Sequence, residues 1–199
     1  MADAPGFAAR SPLVGLIARI FAWLPVAFAA WYFAAPLLFW PAAVIVEFVA
    51  RAGFADLVQG VEQAGATLVF ATTLKPGVTA PGSPQLTVDV DMLLYAFGLP
   101  LYAALVLAAR EPGRWRRMIV GYAVLLPIVA GGVLADFLKS VAIASGPLVA
   151  SQTGFVAWQR EVIAFAYQFG SLILPTVAPA VAWVLTHRGF LERLKAGSG

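Results

Sequence analysis

Four long runs free of any charged side chain constrain this chain more than anything else in it: residues 20–46, 92–109, 118–135 and 162–186. A helix needs roughly 20 predominantly apolar residues to cross a bilayer core of about 30 Å, and all four runs are near or above that length. Composition excludes a soluble globule built around them. Apolar residues make up 61% and charged residues 12%, against about 45–50% and 25% in soluble domains. The expected fold class is an α-helical polytopic membrane protein with four transmembrane helices.

Orientation follows from the basic residues beside the spans, because positively charged loops stay on the cytoplasmic side. Arg10 and Arg19 flank the start of the first span. Arg110, Arg114, Arg116 and Arg117 lie between the second and third. Arg188, Arg193 and Lys195 follow the fourth. With four spans these nine of the 13 basic residues share one side. The other side holds Arg51, Lys75, Lys139 and Arg160 against Glu47, Asp56, Glu62, Asp89, Asp91, Asp136 and Glu161. The chain therefore reads N-in, C-in. Its net charge of +3 sums a positive inner and a negative outer face, and gives no reason to expect nucleic acid as a partner.

Arg10 and Arg19 resemble the n-region of a signal peptide, and Ala27-Phe28-Ala29 resembles a cleavage site. The apolar run continues to Val46, so an uncleaved anchor is the better reading. Ser11-Pro12 fits an N-cap and first turn. Pro25, Pro36 and Pro41 favour kinks within the first span. The expectation is one membrane domain over 1–199, with helices at about 13–46, 92–109, 118–139 and 162–186, and an extracytoplasmic insertion at 47–91.

The chain contains no cysteine. Disulfides, thiolate metal sites and cysteine nucleophiles are excluded. Its single histidine, His187, reads as a headgroup-level residue at a helix end, and one histidine argues against a His-based metal site. No cofactor is expected.

In the outer insertion, Phe54, Leu57, Val58 and Val61 follow i, i+3, i+4, i+7 spacing. Residues 54–64 therefore read as a short amphipathic helix ending near Gly65. Residues 66–74 are rich in Thr, Val, Leu and Phe. After a Pro/Gly-rich turn at 75–84, Leu86, Val88 and Val90 alternate with Thr87, Asp89 and Asp91, the period of a half-buried strand. The two runs predict a β-hairpin, which needs packing to be stable. Asp91 reads as the N-cap of the second span. Residues 136–161 form a second, shorter outer segment. Its stretch after Lys139 reads either as a continuation of the third helix or as a shallow interfacial turn, with Trp158 as an interfacial anchor.

Polar residues near the outer ends of the last two spans make a candidate partner-docking or vestibule cluster: Asp136, Lys139, Arg160, Glu161, Tyr167, Gln168 and Ser171. Asp136 and Lys139 share a helix face, and a Gln in hydrocarbon generally bonds another helix. A faint internal echo links Tyr95-Ala96-Phe97-Gly98 to Tyr167-Gln168-Phe169-Gly170, as a duplicated two-helix unit would.

Four stretches together carry a resemblance: residues 93–100 (LLYAFGLP), the arginine turn 114–117, Ala135-Asp136-Phe137-Leu138-Lys139, and residues 167–176 (YQFGSLILPT). They resemble the exosortase H-associated membrane proteins. The resemblance implies an accessory role in the inner membrane of a Gram-negative bacterium, beside an exosortase. That enzyme is a polytopic transpeptidase acting on proteins with a C-terminal sorting signal. The resemblance supplies no catalytic residues. Exosortases depend on a Cys with Arg and His, so a chain without cysteine is not that enzyme. The leading expectation is a non-catalytic accessory subunit embedded in lipid with an exosortase-like partner. The alternative is a small transporter or channel subunit acting as a homo-oligomer. An enzyme using Asp89, Asp91, Asp136 or Glu161 ranks third, because Asp-x-Asp spacing is too common to carry it.

Overall fold

The computed structural model describes residues 12–77 and 85–196; the expected cap at Ser11 and the tip of the 75–84 turn lie outside them. Helix α1 runs Pro12–Gly53 as one element, seven residues beyond the end expected from hydropathy. An Arg51–Glu47 pair at 2.9 Å supports its last turns, and Gly53 ends it. Trp31, Ala35, Phe39, Ala42, Val46 and Ala50 recur every three or four residues and are all buried, so one stripe of α1 faces the bundle. Phe33, Leu37, Trp40 and Phe48 stand exposed on the other side.

The segment expected as an amphipathic helix at 54–64 is a strand instead. β1 (Val58–Ala64), β2 (Thr67–Thr72) and β3 (Thr87–Asp91) form an antiparallel sheet in the order β1-β2-β3. A register shift between Val58 and Gly60 explains the misreading. A bulge adds one residue to a strand, so Val58 and Val61 both point inward. That three-residue interval imitates a helical repeat. β2 and β3 pair Phe70 with Val88 and Leu68 with Val90. These four side chains are buried while Thr87, Asp89 and Asp91 face out.

The sheet clasps two helices. Gln63 Nε2 donates to the Pro36 carbonyl of α1 at 2.9 Å. Phe70 stacks on Phe137 at 4.3 Å, in helix α4 (Arg114–Lys139). The Asp91 carboxylate accepts the Leu93 N–H at 2.9 Å, where α2 (Leu93–Ala96) begins. After Phe97 the chain continues as α3 (Gly98–Ala109), which packs against α1 and α4. Arg110 adopts φ 55° and ends it.

α4 continues into a π turn at Ser140–Ala144, then α5 (Pro147–Gln152). The Gln152 amide bonds both polar backbone atoms of Lys75, tying α5 to the sheet. α6 (Ala157–Gln168), a second π turn (Phe169–Ile173) and α7 (Leu174–Thr186) make one continuous rod, followed by α8 (Arg188–Ala196). Among the described residues, three helices are long and apolar enough to cross a membrane: Leu13–Gly53, Arg114–Ala144 and Ala157–Thr186. Leu93–Ala109 is a shorter apolar helix.

At the end opposite the sheet, Arg19 Nε donates to the Ala108 carbonyl at 2.9 Å. Glu111 forms an ion pair with Arg117 at 3.6 Å and accepts a hydrogen bond from Arg193 at 2.7 Å. His187 is not at headgroup exposure as expected. It is 1% exposed and stacked on Trp183 at 5.3 Å, because α8 turns back and places Phe190 against Trp183.

Candidate functional site

Where α4 leaves the sheet, Phe137 stacks on Phe70 and so fixes the helix rotation. Asp136 and Lys139 then share one face, and Lys139 Nζ lies 2.9 Å from Asp136 Oδ1. The ammonium also sits 4.0 Å from the centre of the Tyr167 ring on α6. Tyr95 of α2 lies near enough to the Asp136 carboxylate to interact with it electrostatically. Four side chains from three helices thus form one half-buried unit. An exposed ion pair is worth about 0–1 kcal/mol. A desolvated ammonium over an aromatic face adds up to about 2 kcal/mol.

This unit rests on an unusually close backbone approach. A Cβ at Gly132 would meet Tyr95 Cδ1 at 2.5 Å and the Gly170 carbonyl oxygen at 3.4 Å; one at Gly170 would lie 3.1 Å from Gly132 Cα. Small residues let membrane helices come this near. Both π turns begin beside the unit, one straight after Lys139 and the other straight after Gln168. Such single-turn insertions are frequent at functional sites.

The structure divides the seven nominated residues. Asp136, Lys139 and Tyr167 come together. Arg160 and Glu161 line a separate cleft of about 470 Å³ with Ala142, Gly146, Pro147 and Ala150. Arg160 Nη2 reaches the Ala150 carbonyl at 3.5 Å, and its buried Nε has no partner among the described residues. Gln168 is exposed, and its amide makes no hydrogen bond among the described residues. Ser171 turns back to the Tyr167 carbonyl at 2.7 Å, serving its own π turn.

Tyr95 is absent from the cluster nominated on sequence. The signal for it is the echo: its two segments bring both Tyr95 and Tyr167 to the Asp136–Lys139 pair. No three His, Asp or Glu side chains gather to hold a metal among the described residues. The unit's charges are mutually neutralised, which suits helix positioning better than proton transfer.

On α6, Glu161, Phe165 and Gln168 recur at i, i+4, i+7 and all are exposed. Two polar groups on an otherwise apolar outward face are what a neighbouring helix reads.

The sequence profile of a family described as exosortase H-associated membrane protein matches residues 10–190. No curated protein and no solved structure matches the chain.

Proposed function

Because the chain belongs to the exosortase H-associated membrane proteins, we propose that it is a non-catalytic accessory subunit of an exosortase-type transpeptidase in a bacterial inner membrane. The extent of the match carries the reading, since residues 10–190 include every span, the sheet and the Asp136–Lys139 unit. In this reading the chain is one membrane domain with four spans, N-in and C-in. The second span is Leu93–Ala109, whose 17 residues rise about 25 Å. The sheet, with exposed Asp89 and Asp91, stands in extracytoplasmic water, because unpaired strand edges do not occur in lipid.

The partner docks on the outward face of α6, where Gln168 supplies a hydrogen bond and Glu161 a charge. The Asp136–Lys139–Tyr167–Tyr95 unit behind it holds α6 against α4.

Affinity capture of the tagged chain from native membranes, with identification of co-purifying proteins, tests this. The expected result is a stable exosortase partner. Gln168→Ala with Glu161→Lys is expected to lower capture about tenfold at unchanged membrane level, as about 1–2 kcal/mol of interhelical bonding implies. Recovery of the chain only as a homo-oligomer that passes solute would replace this reading with a channel.

A further inference from the structure

Helices α1 and α4 meet at one end and part at the other. Tyr122 Oη on α4 donates to the Leu38 carbonyl on α1 at 2.7 Å. Toward the arginine-rich end the two helices separate, and α3 forms the floor between them. The resulting wedge encloses about 520 Å³ and is almost wholly apolar, lined by Trp31, Leu99, Tyr102 and Trp115 among others. Its stretch of α1 runs from Val26 to Leu38, about 18 Å of helix. Spread over that length the volume gives a cross-section of roughly 30 Å². A helix with side chains is about 10–12 Å across, so the wedge suits an extended hydrocarbon chain and not another span. Water does not persist in an apolar cavity of this kind.

The mouth is strongly cationic. Trp115 lines the wedge, and the Arg114 guanidinium lies 5.6 Å from its ring centre. Arg114 and Arg116 are exposed, and neither makes an ion pair among the described residues. Glu111, the acid nearest them in sequence, is taken by Arg117 and Arg193. An apolar slot with Arg114 beside its lining residue Trp115 matches one amphiphile, a molecule with a hydrocarbon chain and an anionic head.

We propose that the wedge between α1 and α4 is a binding site for an anionic phospholipid, its phosphate at Arg114, with Arg116 adding positive charge two residues along the same first turn, and one acyl chain lying along α3. This rests on the proposed topology only for the leaflet that supplies the lipid, which is the inner one. Partner capture has no part in it.

The test uses the full chain, purified without a partner, in vesicles carrying a photoactivatable acyl chain on either phosphatidylglycerol or phosphatidylcholine. Cross-linked peptides are mapped by mass spectrometry. The phosphatidylglycerol probe is expected to concentrate on residues 26–38 and 99–107, and to label them at least tenfold more than the phosphatidylcholine probe does. Arg114→Gln with Arg116→Gln is expected to remove that preference, at roughly fivefold per arginine. Ala103→Phe, which fills the floor, should abolish labelling of the wedge by both probes. If that variant fails to fold, the arginine pair decides alone, since both side chains are exposed. Labelling spread evenly over lipid-facing residues such as Phe48 and Leu172 overturns the proposal. So does wedge labelling that ignores the headgroup.

Discussion

Gly131 and Gly132 are neighbours on α4, yet alanine should act oppositely at the two positions. A Cβ at Gly131 meets nothing within 4 Å. One at Gly132 would lie 2.5 Å from Tyr95 Cδ1 and 3.1 Å from Tyr95 Cγ, where ordinary contact begins near 3.4 Å. The ring must move by about 1 Å, but Tyr95 is 2% exposed and has no room to do so. Overpacking of this kind costs about 1–3 kcal/mol. The gain in helix propensity from Gly to Ala, up to about 1 kcal/mol, is common to both variants. Their difference therefore isolates the packing. Thermal unfolding in detergent, read by size-exclusion or intrinsic fluorescence, should place Gly132→Ala roughly 2–12 °C below Gly131→Ala, at about 2–4 °C per kcal/mol for a chain of this size. Equal melting temperatures would refute the close approach of α2, α4 and the second π turn.

Three further predictions concern other parts of the chain. Val88→Asp buries an unpaired charge against Phe70 and should abolish accumulation of the protein, whereas Thr87→Asp on the exposed side should be tolerated; equal protein levels would mean that the sheet face is not packed. Reporters placed after Gly113 and Gly199 should read cytoplasmic, and those near Gly82 and Gly154 external; an external signal at Gly113 breaks the four-span assignment. Burial of His187, with Arg117 nearby, lowers its pKa from the ordinary 6.5 despite the Trp183 carbonyl and Glu111. Below pH about 6.5 the unfolded chain takes up a proton that the folded chain resists, so stability falls as pH falls. The melting temperature should drop between pH 7.5 and 5.5, and in His187→Phe that drop should vanish, because the chain has no other histidine.

Sequence periodicity located the apolar helices because hydrocarbon demands long uncharged runs, and that demand is local. It located β3 because strict alternation survives wherever a strand is regular. It failed at β1, where the extra residue between Val58 and Gly60 turned a period of two into an apparent three. The candidate site was partly legible for a related reason. Asp136 and Lys139 lie within one helical turn, so their pairing needs no tertiary knowledge. Whether Tyr95 or Arg160 joins them depends on how three helices rotate against each other. Each π turn also rotates the remainder of its helix by about one residue, so a face drawn with a single period through Gln168 and Ser171 does not hold. His187 looked exposed because its neighbour is Arg188, and only the return of α8 over Trp183 buries it.

The clasp at one end of α1 has a mechanical counterpart at the other. Gln63 and Tyr122 hold the helix at Pro36 and Leu38, so that half is a fixed arm. Pro25 has no N–H to give the Phe21 carbonyl, which makes it a fulcrum. The segment before it is then a lever, latched by the Arg19 bond to Ala108 and by buried Leu16. A force on that short arm works against one hydrogen bond and the packing of Leu16, while the stretch from Val26 to Leu38 that lines the wedge stays with the fixed arm.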